Sequence, residues 1–312
     1  KFLKKGGVCD ELIVDPFNPL DVKMKILSKI SEFPPGSRFG FNLTGGTKLM
    51  YSGAAAACRK IKGIPFYFEN RSHKVIFLHD FSCMDCVKIP SIEHFFQIND
   101  FKILTKGHWS DDPSREKRLH VTNFLWENRR SIQKIYWELC KEQNGIRDSS
   151  YADNPGKTFS FGKQVSKDVF VTAKLDQKGN AIIGIGKVEY KLKNFPGFAS
   201  YLCGGWFEEY AYKLLEPLVK AGKVKDLRIG LEVNWESSHE VNSKAQEFDI
   251  AFTDGKSLYI VECKAGNVKS DHVYKLSDCV RTYGGVLAKG FLASALGNLN
   301  KITRKRVEEA KN

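Results

Sequence analysis

Short apolar runs bounded by turn residues alternate along the chain with stretches whose apolar positions repeat every three to four residues, a mixture that predicts interleaved strands and helices. Residues 12–14 read as a short strand. Val22, Ile26, Leu27, Ile30 and Phe33 set a helical period that Pro34-Pro35-Gly36 breaks. A strand over 38–43 runs through Thr44-Gly45-Gly46-Thr47-Lys48 into an Ala-rich helix over 49–61, and strands over 65–68 and 74–78 follow. This order predicts an α/β fold with an open, doubly wound, Rossmann-like sheet.

The middle of the chain reads differently. Residues 111–114 are a loop, and 115–143 a charged helical stretch with Phe124, Trp126, Tyr136 and Trp137, ended by Asn144-Gly145. A polar stretch at 148–157 precedes strands over 159–162, 169–175 and 181–192, with Lys178-Gly179-Asn180 as a turn. Farther on, a helix opens at Gly204-Gly205 and runs to about Leu215, stopped near Pro217, with Phe207, Tyr210, Ala211, Leu214 and Leu218 on one face. A strand over 227–235, a polar loop and a hairpin follow, then a helix over 274–285, a strand over 286–292 and a basic helix over 303–312. Three parts result: 1–100, a linker module of helix and sheet at 101–196, and 197–312.

The hairpin, residues 246–264, concentrates chemistry. Two apolar, β-branched and aromatic runs flank Asp254-Gly255. Centring the turn there places Asp249 opposite Ile260 and Glu247 opposite Glu262. Ile260, Glu262 and Lys264 share one face of their strand. Asp249 joins that face one diagonal step from Glu262, within roughly 7 Å. Two carboxylates this close repel unless a cation lies between them. Oxygen donors suit Mg²⁺ or Mn²⁺, and Lys264 is placed to meet a water or developing charge beside such an ion.

Composition adds a polyanionic partner. The 312 residues carry 49 Lys+Arg against 36 Asp+Glu, a net charge of +13, which favours nucleic acid through counterion release. The 8 cysteines are scattered. Only Cys83 and Cys86 have CxxC spacing, and no second pair completes a zinc site, so the thiols read as reduced, as in a cytoplasmic protein. No apolar run approaches the ~18 residues that span a membrane. Phe2 to Gly7 looks like the tail of a helix with a glycine cap, which predicts that further residues precede Lys1.

The 44–48 loop has two readings. A Gly-Gly turn at a helix N-terminus offers free N–H groups to an anion, with Thr44, Thr47 and Lys48 as further donors. The same residues also make a tight strand-to-helix turn with a capping threonine.

The Asp-(x12)-Glu-x-Lys spacing of Asp249, Glu262 and Lys264 resembles the PD-(D/E)xK nuclease core. The run 42–50 (Asn-Leu-Thr-Gly-Gly-Thr-Lys-Leu-Met) and Val14-Asp15-Pro16-Phe17 resemble the CARF domains of CRISPR ancillary nucleases. Gly204-Gly205-Trp206, Glu262-x-Lys264 and the Gly-Gly stop at 284–285 resemble the nuclease half of the same family.

The resemblance implies a CARF sensor at 1–100 that binds cyclic oligoadenylate through Thr44, Gly45, Gly46, Thr47 and Lys48. Cyclic tetra-adenylate is expected, because a two-fold ligand suits a two-fold homodimer. It also implies a nuclease at 197–312 whose metal is held by Asp249, Glu262 and the Cys263 carbonyl, with Lys264 at the attacking water. A first-helix carboxylate, Glu208 rather than Glu209, completes the catalytic set. The expected activity is effector-controlled hydrolysis of DNA and/or RNA in type III CRISPR defence. Two other readings stand beside it: a CARF sensor that acts by binding, its nuclease fold inactive, and a restriction-like nuclease with no effector.

Overall fold

The computed structural model describes residues 11–105, 115–134, 138, 158–167, 169–193, 195, 198–235, 245–284, 288–297 and 299–310. The expectations at 2–7, 111–114, 135–137, 139–157, 236–244 and 285–287 lie outside the described residues. The chain divides into two compact units, Lys1–Lys88 and Ile89–Asn312.

In the first unit, Asn18 starts helix α1 (Pro19–Ile30) by accepting the N–H groups of Leu20 and Asp21, and Pro19 fills the first turn, where no donor is needed. Strand β1 (Gly40–Asn42) leads into α2 (Lys48–Ile61), capped by Thr47 and ended by Lys62 in the left-handed region. Strands β2 (Ile64–Glu69), β3 (Lys74–Phe77) and β4 (Cys83–Asp85) complete a sheet in the order β1-β2-β3-β4. Only β1 and β2 are parallel; the others are antiparallel. The doubly wound pattern is therefore one β1-α2-β2 crossover followed by a meander. Helices α1 and α2 meet at Gly53, where a Cβ would stand 2.5 Å from the Pro19 carbonyl oxygen and 2.8 Å from the Val22 Cβ. Residues 12–14 are not a strand. Ile13 is 84% exposed, and three apolar residues without a ladder partner gain nothing from extension.

The second unit opens with α3 (Ile92–Ile98), β5 (Phe101–Thr105) and α4 (Arg115–Glu127). A four-stranded antiparallel meander follows: β6 (Phe159–Ser166), β7 (Val169–Leu175), β8 (Ala181–Ile185) and β9 (Val188–Leu192). The single strand expected over 181–192 is thus two strands, because Gly186 takes φ +64° and reverses the chain. A short helical turn (Phe198–Ser200) and a π-helical turn (Tyr201–Gly205), kinked at Gly204, lead into α5 (Trp206–Lys220). Pro217 lies inside α5, not at its end. It lacks one donor only, and the apolar face of the helix continues past it to the Ala221 cap.

Strands β10 (Asp226–Trp235), β11 (Gln246–Thr253) and β12 (Leu258–Lys264), helix α6 (Ser270–Gly284), strand β13 (Ala288–Ser294) and helix α7 (Lys301–Glu309) complete the unit. The main sheet has the order β13-β12-β11-β10-β5, with β12 and β13 parallel and the other pairs antiparallel. One face buries Ile92, Phe96, Leu231, Phe248 and Ile260 beneath α3 and α6. The other buries Ile229, Ile250, Val261 and Cys263 with α4, α5 and the meander in a single core. Two consequences differ from expectation. Residues 89–105 belong with the second unit, β5 being an edge of its main sheet. The 101–196 segment shares its core with the segment that follows instead of standing apart as a linker.

Candidate active site

The hairpin β11–β12 forms as the apolar runs predict, but its register differs. Ile260 pairs with Ala251 and Val261 with Ile250, two residues from the centring on Asp254-Gly255. The turn itself is the cause. The Asp254 carboxylate accepts the N–H groups of Lys256 and Ser257 at 2.8 and 2.9 Å, and Thr253 Oγ1 accepts that of Gly255 at 2.9 Å, so four residues make the loop. The paired register ends at Ile250 and Val261, the residues next to Asp249 and Glu262. There the strands no longer exchange backbone bonds on this side. The Cys263 N–H donates to Asp249 Oδ2 at 2.6 Å, which fixes the carboxylate at the ladder's end.

Lys264 Nζ lies 2.6 Å from Glu262 Oε1. Burial works against the charge of Lys264, but the Glu262 hydrogen bond and the nearby Asp249 charge outweigh it and raise its proton affinity. The thiol of Cys263 is buried, which pushes its pKa well up and makes it core rather than nucleophile.

Glu208 comes to the same place from α5. Its Oε1 lies 3.7 Å from where a Gly204 Cβ would be, so the side chain folds back over the glycine turn that starts the helix. Burial first, then the charges of Asp249 and Glu247, push its pKa up to about 8. Burial and the Glu262 charge raise Asp249 to about 6. Glu209 points elsewhere. It is fully buried, with Arg118 Nε 3.5 Å from its Oε2 and Arg115 Nε 3.9 Å from its Oε1, and Thr122 donates to it at 3.4 Å. Two residues near the site carry no site role in the sequence analysis. Glu247 adds negative charge beside Glu208 and Asp249, as two-residue alternation with Asp249 could have suggested. His272, in the first turn of α6, feels both Lys264 and Glu262, and nothing in the sequence marked it.

A divalent cation fits this donor chemistry: hard carboxylate oxygens, partly buried, among which Glu208 and Asp249 bind protons more tightly through burial first and neighbouring negative charge next. Among the described residues no group of three or more His, Cys, Asp or Glu side chains stands ready to ligate one. Asp249 Oδ2 accepts the Cys263 N–H, and Glu262 Oε1 pairs with Lys264.

In the first unit, the 44–48 loop uses its threonines internally. Thr44 Oγ1 donates to Asn42 Oδ1 at 2.6 Å and accepts the Phe68 N–H at 2.7 Å. Thr47 Oγ1 donates to the Pro16 carbonyl at 2.7 Å and accepts the Met50 N–H at 3.1 Å. The tight-turn reading therefore accounts for both hydroxyls. Gly45, Gly46 and Lys48 are the exposed members, with Gly46 at φ +88°.

Residues 198–310 match the family model described as Card1-like, endonuclease domain. That stretch, about a third of the chain, is similar to a Card1-like endonuclease domain. All four residues of the carboxylate–lysine cluster fall within it. No curated protein matches the chain. Among solved structures the fold is similar to Can2 from Sulfobacillus thermosulfidooxidans, solved in complex with cyclic tetra-adenylate, at TM-score 0.68 and 19% identity over 95% of this chain and 77% of that one. It is also similar to the protein VC1899 from Vibrio cholerae, at TM-score 0.70 and 16% identity over 94% of this chain and 76% of that one. These likenesses show a shared fold.

Proposed function

We propose that this protein is a cyclic oligoadenylate-activated, metal-dependent endonuclease of type III CRISPR defence, acting in the cytoplasm as a homodimer on DNA and/or RNA. The observation that carries the proposal is the convergence of Glu208, Asp249 and Glu262 around Lys264 at the end of the β11–β12 hairpin. Asp249, Glu262 and the Cys263 carbonyl would hold Mn²⁺ or Mg²⁺. Bound there, the ion supplies charge for the scissile phosphate and lowers the pKa of a water. Lys264 orients the attacking water and offsets charge developing on the phosphate. Glu208 keeps a proton-ready carboxyl beside them.

Effector control rests on the first unit. The exposed Gly45-Gly46 N–H groups and Lys48 suit a phosphate, and cyclic tetra-adenylate is the ligand of the structurally similar Can2. Phe17, Leu20 and Met24 are 75%, 63% and 57% exposed at the start of α1, the kind of surface that a second copy covers.

The test is to incubate the purified protein with supercoiled plasmid and single-stranded RNA, with and without cyclic tetra-adenylate and Mn²⁺. Cleavage that requires both additions is expected. No cleavage of either substrate with both present would overturn the proposal.

A further inference from the structure

Helix α7 carries its charges the wrong way round for its own stability. Lys301, Arg304, Lys305 and Arg306 occupy its first two turns, where the helix dipole is positive, and Glu308 and Glu309 its end, where the dipole is negative. Cations belong at the other end. The 3.9 Å pair from Lys305 to Glu309 also has the less favourable order, since a glutamate is better placed four residues before its lysine. Asn300 caps the helix, accepting the Thr303 N–H at 2.7 Å, so the helix is held by its cap and by packing despite its charges.

The topology puts those first turns beside the hairpin's catalytic end. Strands β12 and β13 run parallel and end together, Lys264 paired with Ser294, and the Ala295 N–H donates to the Lys264 carbonyl at 3.1 Å. Six residues after Lys264, α6 begins; six residues after Ser294, α7 is capped by Asn300. The two helix starts touch: Ser270 Oγ and Thr303 Oγ1 are 3.4 Å apart, and Thr303 is fully buried. Burying Thr303 turns Lys301 and Arg304 outward. Both are exposed, and so is Lys269 just before α6. Arg306 instead lies over the Tyr274 ring at 5.7 Å and pairs with Glu309 at 2.6 Å.

We propose that Lys301 and Arg304, with Lys269 beside them, form the track that binds the phosphodiester backbone of the substrate next to the bond that is cut. The inference rests on the proposed nuclease activity. It explains why a charge order unfavourable to the isolated helix is placed there: a bound polyanion lies against the positive end of the dipole and the cations together.

The test compares the parent with Lys301→Gln/Arg304→Gln and with Lys187→Gln, an exposed lysine in the β8–β9 turn. Binding of a fluorescein-labelled single-stranded DNA oligonucleotide is followed by anisotropy across a KCl series, with Ca²⁺ and cyclic tetra-adenylate present. The double variant is expected to bind more weakly, with a salt slope smaller by about one to two, each lost phosphate contact on a single strand contributing ~0.7. In cleavage assays its KM rises while kcat stays within about two-fold. Lys187→Gln should match the parent. An unchanged slope in the double variant, an equal fall in Lys187→Gln, or a parent that binds without salt dependence would each overturn the track. A parent that binds but does not cleave with Mn²⁺ and effector would overturn the nuclease proposal and leave the track standing.

Discussion

At the residue scale the site is an electrostatic problem solved by proximity. Glu208 and Asp249 both hold protons more tightly than free carboxyls, at about 8 and about 6. An acid whose folded pKa exceeds its unfolded value contributes stability below the unfolded pKa and loses it as pH rises through the folded one. The metal-free protein should therefore lose thermal stability between about pH 4.5 and 8. Glu208→Gln, which cannot ionise, should flatten that decline. A melting temperature equally pH-dependent in Glu208→Gln and the parent would contradict the placement of Glu208 among like charges. Lys264→Ala removes the cation paired with Glu262. It should reduce turnover by about 10²-fold or more, in the range seen when a transition-state contact is deleted. Its metal-free melting temperature should fall and recover on adding Mn²⁺. Normal turnover at saturating Mn²⁺ with weakened metal affinity would reassign the lysine to metal binding.

At the element scale, α5 is set against α4 by one buried constellation. Glu209 and Arg118 are 0% and 1% exposed, Arg115 reaches Glu216 at 2.8 Å, and Trp126 stacks on Tyr210 with ring centres 4.2 Å apart. Glu209→Leu removes the buried carboxylate beside Arg118 and should cost about 3–5 kcal/mol in urea unfolding. A loss below ~1 kcal/mol would show that the pair contributes little. These contacts also explain what the sequence could and could not show. The hairpin, the Glu-x-Lys pattern and most helices were legible, because period, Asp-Gly turn and caps are local signals. The hairpin register was not, since the Asp254 carboxylate builds a four-residue loop that strand alternation does not encode. Sequence alone does not separate Glu208 from Glu209, because the arginines that claim Glu209 lie some ninety positions earlier. The strand expected at 12–14 failed for a similar reason: a short apolar run becomes a strand only where another strand offers it a ladder.

At the scale of the whole molecule, the proposed function gives sensing and cutting to different units, and an effector that controls cutting has to favour the cutting-competent state over the resting one. Gly45 offers a clean probe. A Cβ there meets nothing within 4 Å, whereas Gly46 sits at φ +88° and its replacement strains the backbone. Gly45→Val should weaken binding of cyclic tetra-adenylate by about ten-fold or more, ~1.4 kcal/mol, and raise the effector concentration needed for cleavage, with effector-free activity still low. Parent-like effector affinity in calorimetry would make 44–48 a structural turn only.

In the proposed function Glu262 is part of a metal-dependent cutting centre and not a strand-end charge. Glu262→Ala tests it most directly, with cleavage and effector binding measured on the same preparation. The substitution removes one of several crowded carboxylates and leaves Lys264 near Asp249, so the fold and the affinity for cyclic tetra-adenylate should match the parent while cleavage with Mn²⁺ and effector disappears. Cleavage by Glu262→Ala at the parent's rate would contradict the account.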